Sequence, residues 1–218
     1  GWQESPAFRH GEYVNDAIYA AGYQSSSLVY EQVHHILGTT PTKYRDGGKG
    51  ITMRYVITTC RLGYLLVAAT EKGVCKISLA DEIEALQADL RREFPHADIS
   101  YDEQGLGEWL QPIVQYIDGE TQTLNLPLDI QATSFQRKVW AALCQIPYGQ
   151  TRTYQEIANM IGQPSAARAV ARAIASNPTA IVIPCHRVIR SDGTLSGYRW
   201  GVERKAALLA LESGDDEP

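Results

Sequence analysis

Residues 181–188 constrain the fold of this chain more than any other stretch, because an apolar run leads through a proline to two reactive side chains. The run 181–183 is β-branched and apolar, and it is too short for a helix, which predicts a buried segment. Pro184 fixes its own φ and has no backbone donor, so the segment must bend or stop there. The bend predicts that Cys185 lies at the end of a rigid, buried element, with His186 beside it.

Such a Cys-His pair allows two interpretations. A thiol reacts as its thiolate, and a neighbouring histidine can generate the thiolate directly or through a water molecule. Alternatively, Cys185 is an inert core residue next to a surface histidine, since free cysteines are commonly buried. Cys60, Cys75 and Cys144 form no CxxC pair and no cluster with histidine at zinc spacing. The sequence therefore predicts free thiols and no metal site.

Charge is distributed unevenly along the chain. The net charge of −5 argues at face value against a nucleic-acid ligand. Residues 134–205, however, carry 10 Lys and Arg against 3 Asp and Glu, whereas residues 1–133 carry 10 against 18. A basic segment in an acidic chain indicates a polyanion-binding surface, although a chance fluctuation in charge would give the same counts.

The length and position of the apolar runs indicate where in the cell the protein is found. No run approaches the ~20 residues of a membrane span, and the N-terminus lacks the basic-then-apolar layout of a signal peptide. We therefore expect a cytoplasmic protein that has no membrane partner.

Residues 12–45 show apolar residues at helical spacing, interrupted by glycines that end two successive helices. A helix, a short turn and a second helix predict a helix-turn-helix segment. Gly38, Pro41, Tyr44 and Arg45 resemble the end of the last helix-turn-helix of the AraC family of regulators. Those regulators use two such units and only one is visible here, so DNA binding and a structural or vestigial role both stay open.

The middle of the chain predicts a small α/β domain. Residues 53–79 predict three strands with a tight turn at 71–73, and amphipathic helices are expected at 81–94 and 106–117. Three further helices are predicted in the basic half. One spans 134–143, one begins at a capping-box match formed by Thr153 and Glu156, and one spans 165–176. We find no site chemistry in the middle domain.

The helix predicted at 165–176 consists mostly of alanine around Arg168 and Arg172. Small side chains let a helix backbone approach the minor groove of DNA, which is only ~6 Å wide, and an arginine could then enter the base stack. Alternatively, alanine is there for its helix propensity and the arginines are simply solvated.

Several motifs together identify a known family. They are Phe135-Gln136, Val139-Trp140, Thr153-Tyr154, Asn177-Pro178, Pro184-Cys185-His186-Arg187-Val188 and Ser196-Gly197-Tyr198-Arg199-Trp200-Gly201. Over about residues 50–213 the chain resembles the methylated-DNA–protein-cysteine methyltransferases. With the helix-turn-helix segment it is similar to the bacterial Ada adaptive-response proteins without their N-terminal zinc domain.

The resemblance implies a fold and a domain layout. It implies a small ribonuclease-H-like α/β domain at 50–130, followed by a helical, winged-helix-like DNA-binding domain at 131–213. The short all-helical segment at 1–49 lies in front of them, and residues 214–218 form an acidic tail.

The resemblance also implies catalytic roles. Cys185 is the alkyl acceptor, His186 takes its proton through a water molecule, and Glu212 orients the imidazole. Asn177 braces the turn, and Tyr154 donates to the purine as the guanine leaves.

For DNA, the resemblance implies that Arg168 replaces the nucleotide that is flipped out of the duplex, and that Tyr198 walls the base pocket. Backbone carbonyls of Cys185 and Val188 read the exocyclic amine of the guanine. The remaining expected contacts are Arg187, Ser165, Ala166 and Ala169.

The implied function is direct, irreversible transfer of an alkyl group from 6-O-methylguanine, and also 4-O-methylthymine, in duplex DNA to Cys185. It requires no cofactor and is expected of a monomer. Three alternatives stay open: a lesion binder that transfers nothing, a transcriptional regulator acting through residues 12–45, and a thiol hydrolase built on Cys185, His186 and Glu212.

Overall fold

The computed structural model describes residues 46–215. The helices predicted at 12–45 and the end of the acidic tail lie outside the described residues. None of the helices within 46–215 is long and apolar enough to cross a membrane.

The first half is built on a four-stranded sheet. Strands β1 (Thr52–Cys60), β2 (Gly63–Thr70) and β3 (Gly73–Ala80) pair in antiparallel fashion through two-residue turns, which confirms the three predicted strands. A fourth strand, β4 (Asp98–Tyr101), pairs in parallel with β1 and gives the order β3-β2-β1-β4. Strand β4 was not predicted from the sequence, because it has four residues and none of them is buried.

Both faces of this sheet are covered. Helix α1 (Ile83–Glu93) packs Leu86 and Leu90 against one face, where Leu66 and Ala68 of β2 lie. Helix α2 (Gly107–Ile117) packs with the other face, where the alternate residues of β2 lie. Because successive strand side chains point to opposite faces, a strand buried on both sides must be largely apolar, as residues 65–69 of β2 are.

The second half is helical. It contains α3 (Ser134–Leu143), α4 (Tyr154–Met160), α5 (Ala167–Ala175) and α6 (Val202–Ser213). Two short strands, β5 (Arg152–Thr153) and β6 (Val188–Ile189), pair in parallel. The molecule thus has an N-terminal α/β sheet domain and a helical C-terminal domain.

The caps of these helices differ in part from the prediction. Thr153 caps α4 by accepting from the backbone N–H of Glu156 at 3.1 Å, but no returning bond from the Glu156 side chain completes the predicted capping box. A complete capping box is instead formed by Thr133 and Gln136 at the start of α3. Trp140 of α3 then ties this helix to α5 by donating to the carbonyl of Ala173 at 2.8 Å.

The edge of β3 positions the segment that leads to Cys185. The N–H of Ile77 donates to the carbonyl of Pro178 at 3.1 Å, and the N–H of Ala180 donates back to Ile77 at 3.1 Å. A bond of 2.8 Å from the N–H of Val182 to the carbonyl of Ala180 closes a three-residue turn around Ile181, whose φ is +74°. A β-branched residue in this region is strained and persists only where surrounding contacts impose it. The buried run 181–183 is therefore a set of turns pinned to the sheet edge.

The same edge of β3 approaches the linker between the two halves so closely that residue 73 has room only for hydrogen. A Cβ at Gly73 would lie 2.6 Å from the carbonyl oxygen of Pro127, which is a backbone atom that cannot rotate away. We expect Gly73→Ala to lower the free energy of unfolding by about 1–3 kcal/mol. Gly107→Ala is the matched control, because a Cβ there meets nothing within 4 Å, and it should be neutral or stabilise by up to about 1 kcal/mol. Urea unfolding of both variants measures the difference, and equal stabilities would contradict the close approach.

Candidate active site

Cys185 begins a short 3₁₀ turn, Cys185–Arg187, immediately after Pro184. The residue is only 4% exposed, yet it lines a cavity of about 300 Å³. The other lining residues come from α4, α5 and the loop before α6: Tyr154, Ala171, Ile174, Ala175, Gly197, Tyr198 and Arg199. A thiol at the wall of a small, partly open cavity can react with a group that enters the cavity.

The thiol is protonated at rest. Burial raises the pKa of Cys185 to about 11, against a partial lowering by the Asn177 hydrogen bond and by the charges of Lys205 and Arg199. Its Sγ accepts from Nδ2 of Asn177 at 3.3 Å. All four cysteines of the chain are free. A reaction at Cys185 near neutral pH therefore needs a base that removes the proton.

Asn177 is fully buried and holds the turn in place. Its Nδ2 also donates to the carbonyl of Ile183 at 2.9 Å, and its Oδ1 accepts from the N–H of Thr179 at 2.9 Å. Its own carbonyl accepts from Nη1 of Arg199 at 2.9 Å. The side chain predicted to brace the turn thus contacts the thiol and both backbone segments leading to it.

His186 is fully buried against Glu212, with 2.6 Å between Nε2 and Oε2. Since the carboxylate accepts this bond, the proton of the neutral ring lies on Nε2, and Nδ1 is left as an acceptor. Nδ1 is buried and has no hydrogen-bond partner among residues 46–215. Burial lowers the pKa of His186 despite the opposing charge of Glu212, so the imidazole is neutral at pH 7. A neutral ring with an available Nδ1 is suited to act as a base.

The Glu212 carboxylate accepts several further hydrogen bonds. Arg187 donates from Nε to Oε1 at 2.6 Å and from Nη2 to Oε2 at 3.3 Å, and the hydroxyl of Tyr116 donates closely to Oε2. Burial acts to raise the pKa of Glu212, but His186 and Arg187 outweigh it and lower the pKa to about 2. Glu212 is therefore ionised at any pH near neutral and accepts the imidazole hydrogen bond as a carboxylate.

The side chain of Arg187, which was predicted to contact DNA, is directed into the core of the protein. The residue is 8% exposed, and its guanidinium bonds to Glu212, to the carbonyl of Ile146 at 2.7 Å and to the Tyr116 hydroxyl at 3.0 Å. Its donors are directed into the core because the buried carboxylate requires a positive partner. Tyr116 was not anticipated at all, since it lies on α2 in the other domain and no local pattern marks it.

Tyr154, at the start of α4, begins a polar chain that runs away from the cavity. Its hydroxyl forms a close hydrogen bond with Oγ of Ser196, and that oxygen also accepts from Nζ of Lys205 at 2.8 Å. Lys205 is 1% exposed, and burial lowers its pKa to about 8. Of these three residues only Tyr154 was predicted to have a chemical role, because Ser196 and Lys205 meet only in the folded chain.

Four of the residues predicted to contact DNA lie at the start of α5 or just before it, and none of them is buried. Ser165 and Arg168 are exposed, and Ala166 and Ala169 are partly exposed. The opposite face of α5 packs into the core, with Val170, Ala173 and Ile174 buried. The alanine-rich helix thus presents an arginine and short side chains to solvent next to the cavity.

The two remaining predicted contacts lie at the cavity or just behind it. Tyr198 lines the cavity and meets the Trp200 ring edge to face at 5.2 Å. The side chain of Val188 is fully buried, and its N–H donates to the carbonyl of Cys185. Any contact between Val188 and a base would therefore use its backbone. Within residues 46–215 no group of three His, Cys, Asp or Glu side chains is placed to hold a metal ion.

Two family models match the chain. Residues 134–214 match the DNA-binding domain of 6-O-methylguanine DNA methyltransferase, and residues 53–130 match the ribonuclease-like domain of the same family. The boundary between the models falls in the linker that separates the sheet domain from the helical domain.

Individual relatives and a solved structure agree with these models. The bifunctional transcriptional activator/DNA repair enzyme Ada of Escherichia coli is 45% identical over 95% of this chain, and the chain spans 58% of that protein's length. A methylated-DNA–protein-cysteine methyltransferase of Methanosarcina barkeri is 43% identical over 75% of this chain and 99% of its own. The crystal structure of Mycobacterium tuberculosis OGT in complex with DNA is 36% identical and superposes with a TM-score of 0.64, covering 74% of this chain and 93% of that one.

The buried network around Glu212 yields a stability prediction. Glu212→Gln leaves the Arg187 guanidinium buried without its charge partner, so the free energy of unfolding should fall by about 3–5 kcal/mol at pH 7. The stabilisation by Glu212 is complete above its ordinary pKa of 4.5 and is lost as the pH falls towards about 2. The gap between wild type and Glu212→Gln should therefore narrow between pH 5 and pH 3 in denaturant titrations.

Glu203→Gln is the matched control for this measurement, because Glu203 is an exposed carboxylate on the same helix. It should track the wild type at every pH. A Glu212→Gln deficit that stays constant from pH 7 to pH 3 would show that the ionised carboxylate is not what the network depends on.

Proposed function

Because this chain belongs to the 6-O-methylguanine DNA methyltransferase family, we propose that it repairs DNA by transferring the alkyl group of a 6-O-alkylguanine to its own Cys185. The observation that carries the proposal is the buried thiol at the wall of a small cavity, backed by a neutral imidazole fixed on an ionised carboxylate. This is the nucleophile–base–orienter arrangement of covalent catalysis.

The transfer is a single displacement. The Cys185 proton passes through a water molecule to Nδ1 of His186, and Glu212 stabilises the imidazolium that forms. The thiolate sulfur forms a bond to the alkyl carbon while the carbon–oxygen bond breaks, and the electron pair of that bond stays on the purine. Tyr154, whose side chain lines the cavity with Cys185, donates a proton to the departing purine. The product is a thioether that water does not readily cleave, so each chain acts once and needs no cofactor.

The size of the cavity supports a flipped base as the substrate. A partly open cavity of about 300 Å³ has no room for a duplex, so the alkylated base must leave the stack. Arg168, exposed on α5 beside the cavity, fills the place of that base, and backbone carbonyls of Cys185 and Val188 read its exocyclic amine. We propose 4-O-methylthymine as a second substrate, because its methyl group is also bonded to an exocyclic oxygen and can be transferred in the same way.

The proposal extends to the fold types of the two domains. We assign residues 50–130 to a ribonuclease-H-like domain and residues 131–213 to a winged-helix-like domain, in which α3, α4 and α5 with the β5–β6 pair form the DNA reader. We further propose that the protein acts as a monomer on chromosomal DNA in the cytoplasm.

The transfer predicts a covalent product at one residue. After incubation with a duplex that contains one 6-O-methylguanine, the peptide carrying Cys185 should gain the mass of one methyl group, and Cys185→Ala should gain none. Cys60→Ala is the matched control, because it removes a half-buried thiol away from the cavity and should still be methylated. Mass spectrometry of the digested protein measures all three, and an unmodified Cys185 peptide would refute the proposal.

A second function is proposed for residues 12–45, which lie outside the described residues. The Escherichia coli relative is named as a transcriptional activator as well as a repair enzyme, and its similarity extends over 95% of this chain. We infer that this segment binds DNA as a helix-turn-helix and gives the protein a regulatory role.

Deletion of residues 1–49 separates the two functions. The shortened chain should lose sequence-selective duplex binding in a mobility-shift assay and keep its rate of methyl transfer, because the site lies within residues 116–212. Unchanged selectivity after the deletion would assign no DNA recognition to this segment.

A further inference from the structure

Helix α6 turns one face to the core, and the buried residues on that face are Lys205, Leu208 and Glu212. Two of these three residues, Lys205 and Glu212, are ionisable. Burial of a charge is costly unless the charge is paired or used. Glu212 is accounted for by His186 and Arg187, but the mechanism above gives Lys205 no task.

The other deeply buried lysine, Lys76, is neutralised by carboxylates, as expected of a lysine with a purely structural role. Lys76 is fully buried and forms ion pairs with Asp89 at 2.8 Å and, more closely, with Glu93. Lys205 forms no such pair with a carboxylate among residues 46–215. Its ammonium instead donates to Oγ of Ser196 at 2.8 Å and, at 3.5 Å, to the carbonyl of Gly197.

Ser196 connects this lysine to the reaction cavity. Its residue is buried, and its hydroxyl bonds closely to the hydroxyl of Tyr154, which lines the cavity together with Cys185. An unbroken chain of polar atoms therefore runs from Nζ of Lys205 through Ser196 to Tyr154.

The ammonium also sets the direction of this chain. A charged lysine has three donors and no acceptor, so Oγ of Ser196 must accept from it. The Ser196 hydrogen is then available to Tyr154, and the Tyr154 hydrogen is available to an acceptor in the cavity. In this arrangement every proton of the chain is directed towards the place of the leaving group.

We propose that Lys205 and Ser196 form a proton relay that supplies Tyr154 while the purine leaves, an inference that rests on the proposed alkyl transfer. As the carbon–oxygen bond breaks, the purine takes the Tyr154 proton, Tyr154 takes the Ser196 proton, and Ser196 takes one proton from Lys205. Lys205 ends as a neutral amine and His186 ends as an imidazolium, so charge is conserved. Because the chain reacts only once, Lys205 need not be recharged.

The surroundings of Lys205 suit a proton donor at neutral pH. Burial lowers its pKa to about 8, the nearby charge of Arg190 lowers it further, and Cys185 opposes them. A general acid is most effective when its pKa lies near the working pH. The groups that face it are Cys185 on the turn, Arg190 after β6, and Ser196 and Gly197 on the loop before α6.

The relay is tested by single-turnover methyl transfer to the full chain from a duplex with one 6-O-methylguanine, measured between pH 6 and pH 10. The wild-type rate should fall on the alkaline side as Lys205 loses its proton near pH 8. Ser196→Ala and Lys205→Met should each slow transfer by about 10–100-fold at pH 7 and abolish this alkaline fall. Ser191→Ala and Lys72→Met are matched controls at exposed positions and should behave as wild type.

A double-mutant cycle separates a relay from a merely structural loop anchor. If Ser196 acts through Tyr154, adding Ser196→Ala to Tyr154→Phe should slow transfer no further, whereas an independent anchoring role gives multiplying losses. Ser196→Thr, which restores the hydroxyl, should recover most of the rate, and this recovery guards against a folding defect in Ser196→Ala.

The outcomes distinguish the relay from the reaction that it serves. A wild-type chain that transfers methyl while Ser196→Ala keeps its rate and its alkaline fall overturns the relay alone, as do multiplying losses in the cycle. A wild-type chain that transfers no methyl group overturns the proposed function and the relay with it.

Discussion

One carboxylate, that of Glu212, connects the parts of this molecule that must act together. It accepts from His186 and Arg187 on the cysteine turn and from Tyr116 on a helix of the other domain. An ionised carboxylate this deeply buried is tolerable only because Arg187 supplies a full positive charge and the other donors fill its remaining lone pairs. The same bonds fix the imidazole and leave Nδ1 without a partner among residues 46–215, so the interaction that stabilises the domain contact also orients the proposed base.

The geometry of α6 and of the cysteine turn divides the chemistry between two sides of one cavity. In the proposed mechanism Glu212 acts on the thiol through His186. Lys205, two turns earlier on the same face, is bonded through Ser196 to Tyr154, on the proposed side of the leaving group. The turn itself is imposed from outside, by the edge of β3 and by Asn177, and it includes a strained Ile181. Such strain is affordable where many surrounding contacts determine the backbone. The rigid thiol and its partners are therefore consequences of packing between the two domains.

Local sequence patterns predicted those features of the structure that are set by residues close together in the sequence. The strands around 53–79 and the helix at 134–143 follow from alternation and helical spacing, and the Pro-Cys-His-Arg motif indicates the proposed nucleophile. A motif shows that an arginine is present but not which way its side chain turns, and the Arg187 guanidinium turns into the core. In the fold its partner is Glu212, 25 residues further on.

Other parts of the site could not be predicted because they depend on long-range contacts. Tyr116 precedes its partner Glu212 by 96 residues, and no periodic pattern distinguishes it from other apolar positions of α2. Lys205 resembles any basic residue of an amphipathic helix until the loop at 196–197 folds over it. Strand β4 was missed for a related reason, since only its pairing with β1 makes it a strand.

The protonation state of His186 is the most direct test of this account. The chain has five histidines, and nitrogen-15 labelling with a His186→Gln comparison identifies the ring of interest in proton–nitrogen correlation spectra. At pH 7 the account predicts a neutral ring that carries its proton on Nε2 and leaves Nδ1 unprotonated. A ring that is protonated on Nδ1, or on both nitrogens, would contradict the claim that Glu212 prepares this imidazole to take the proton of Cys185.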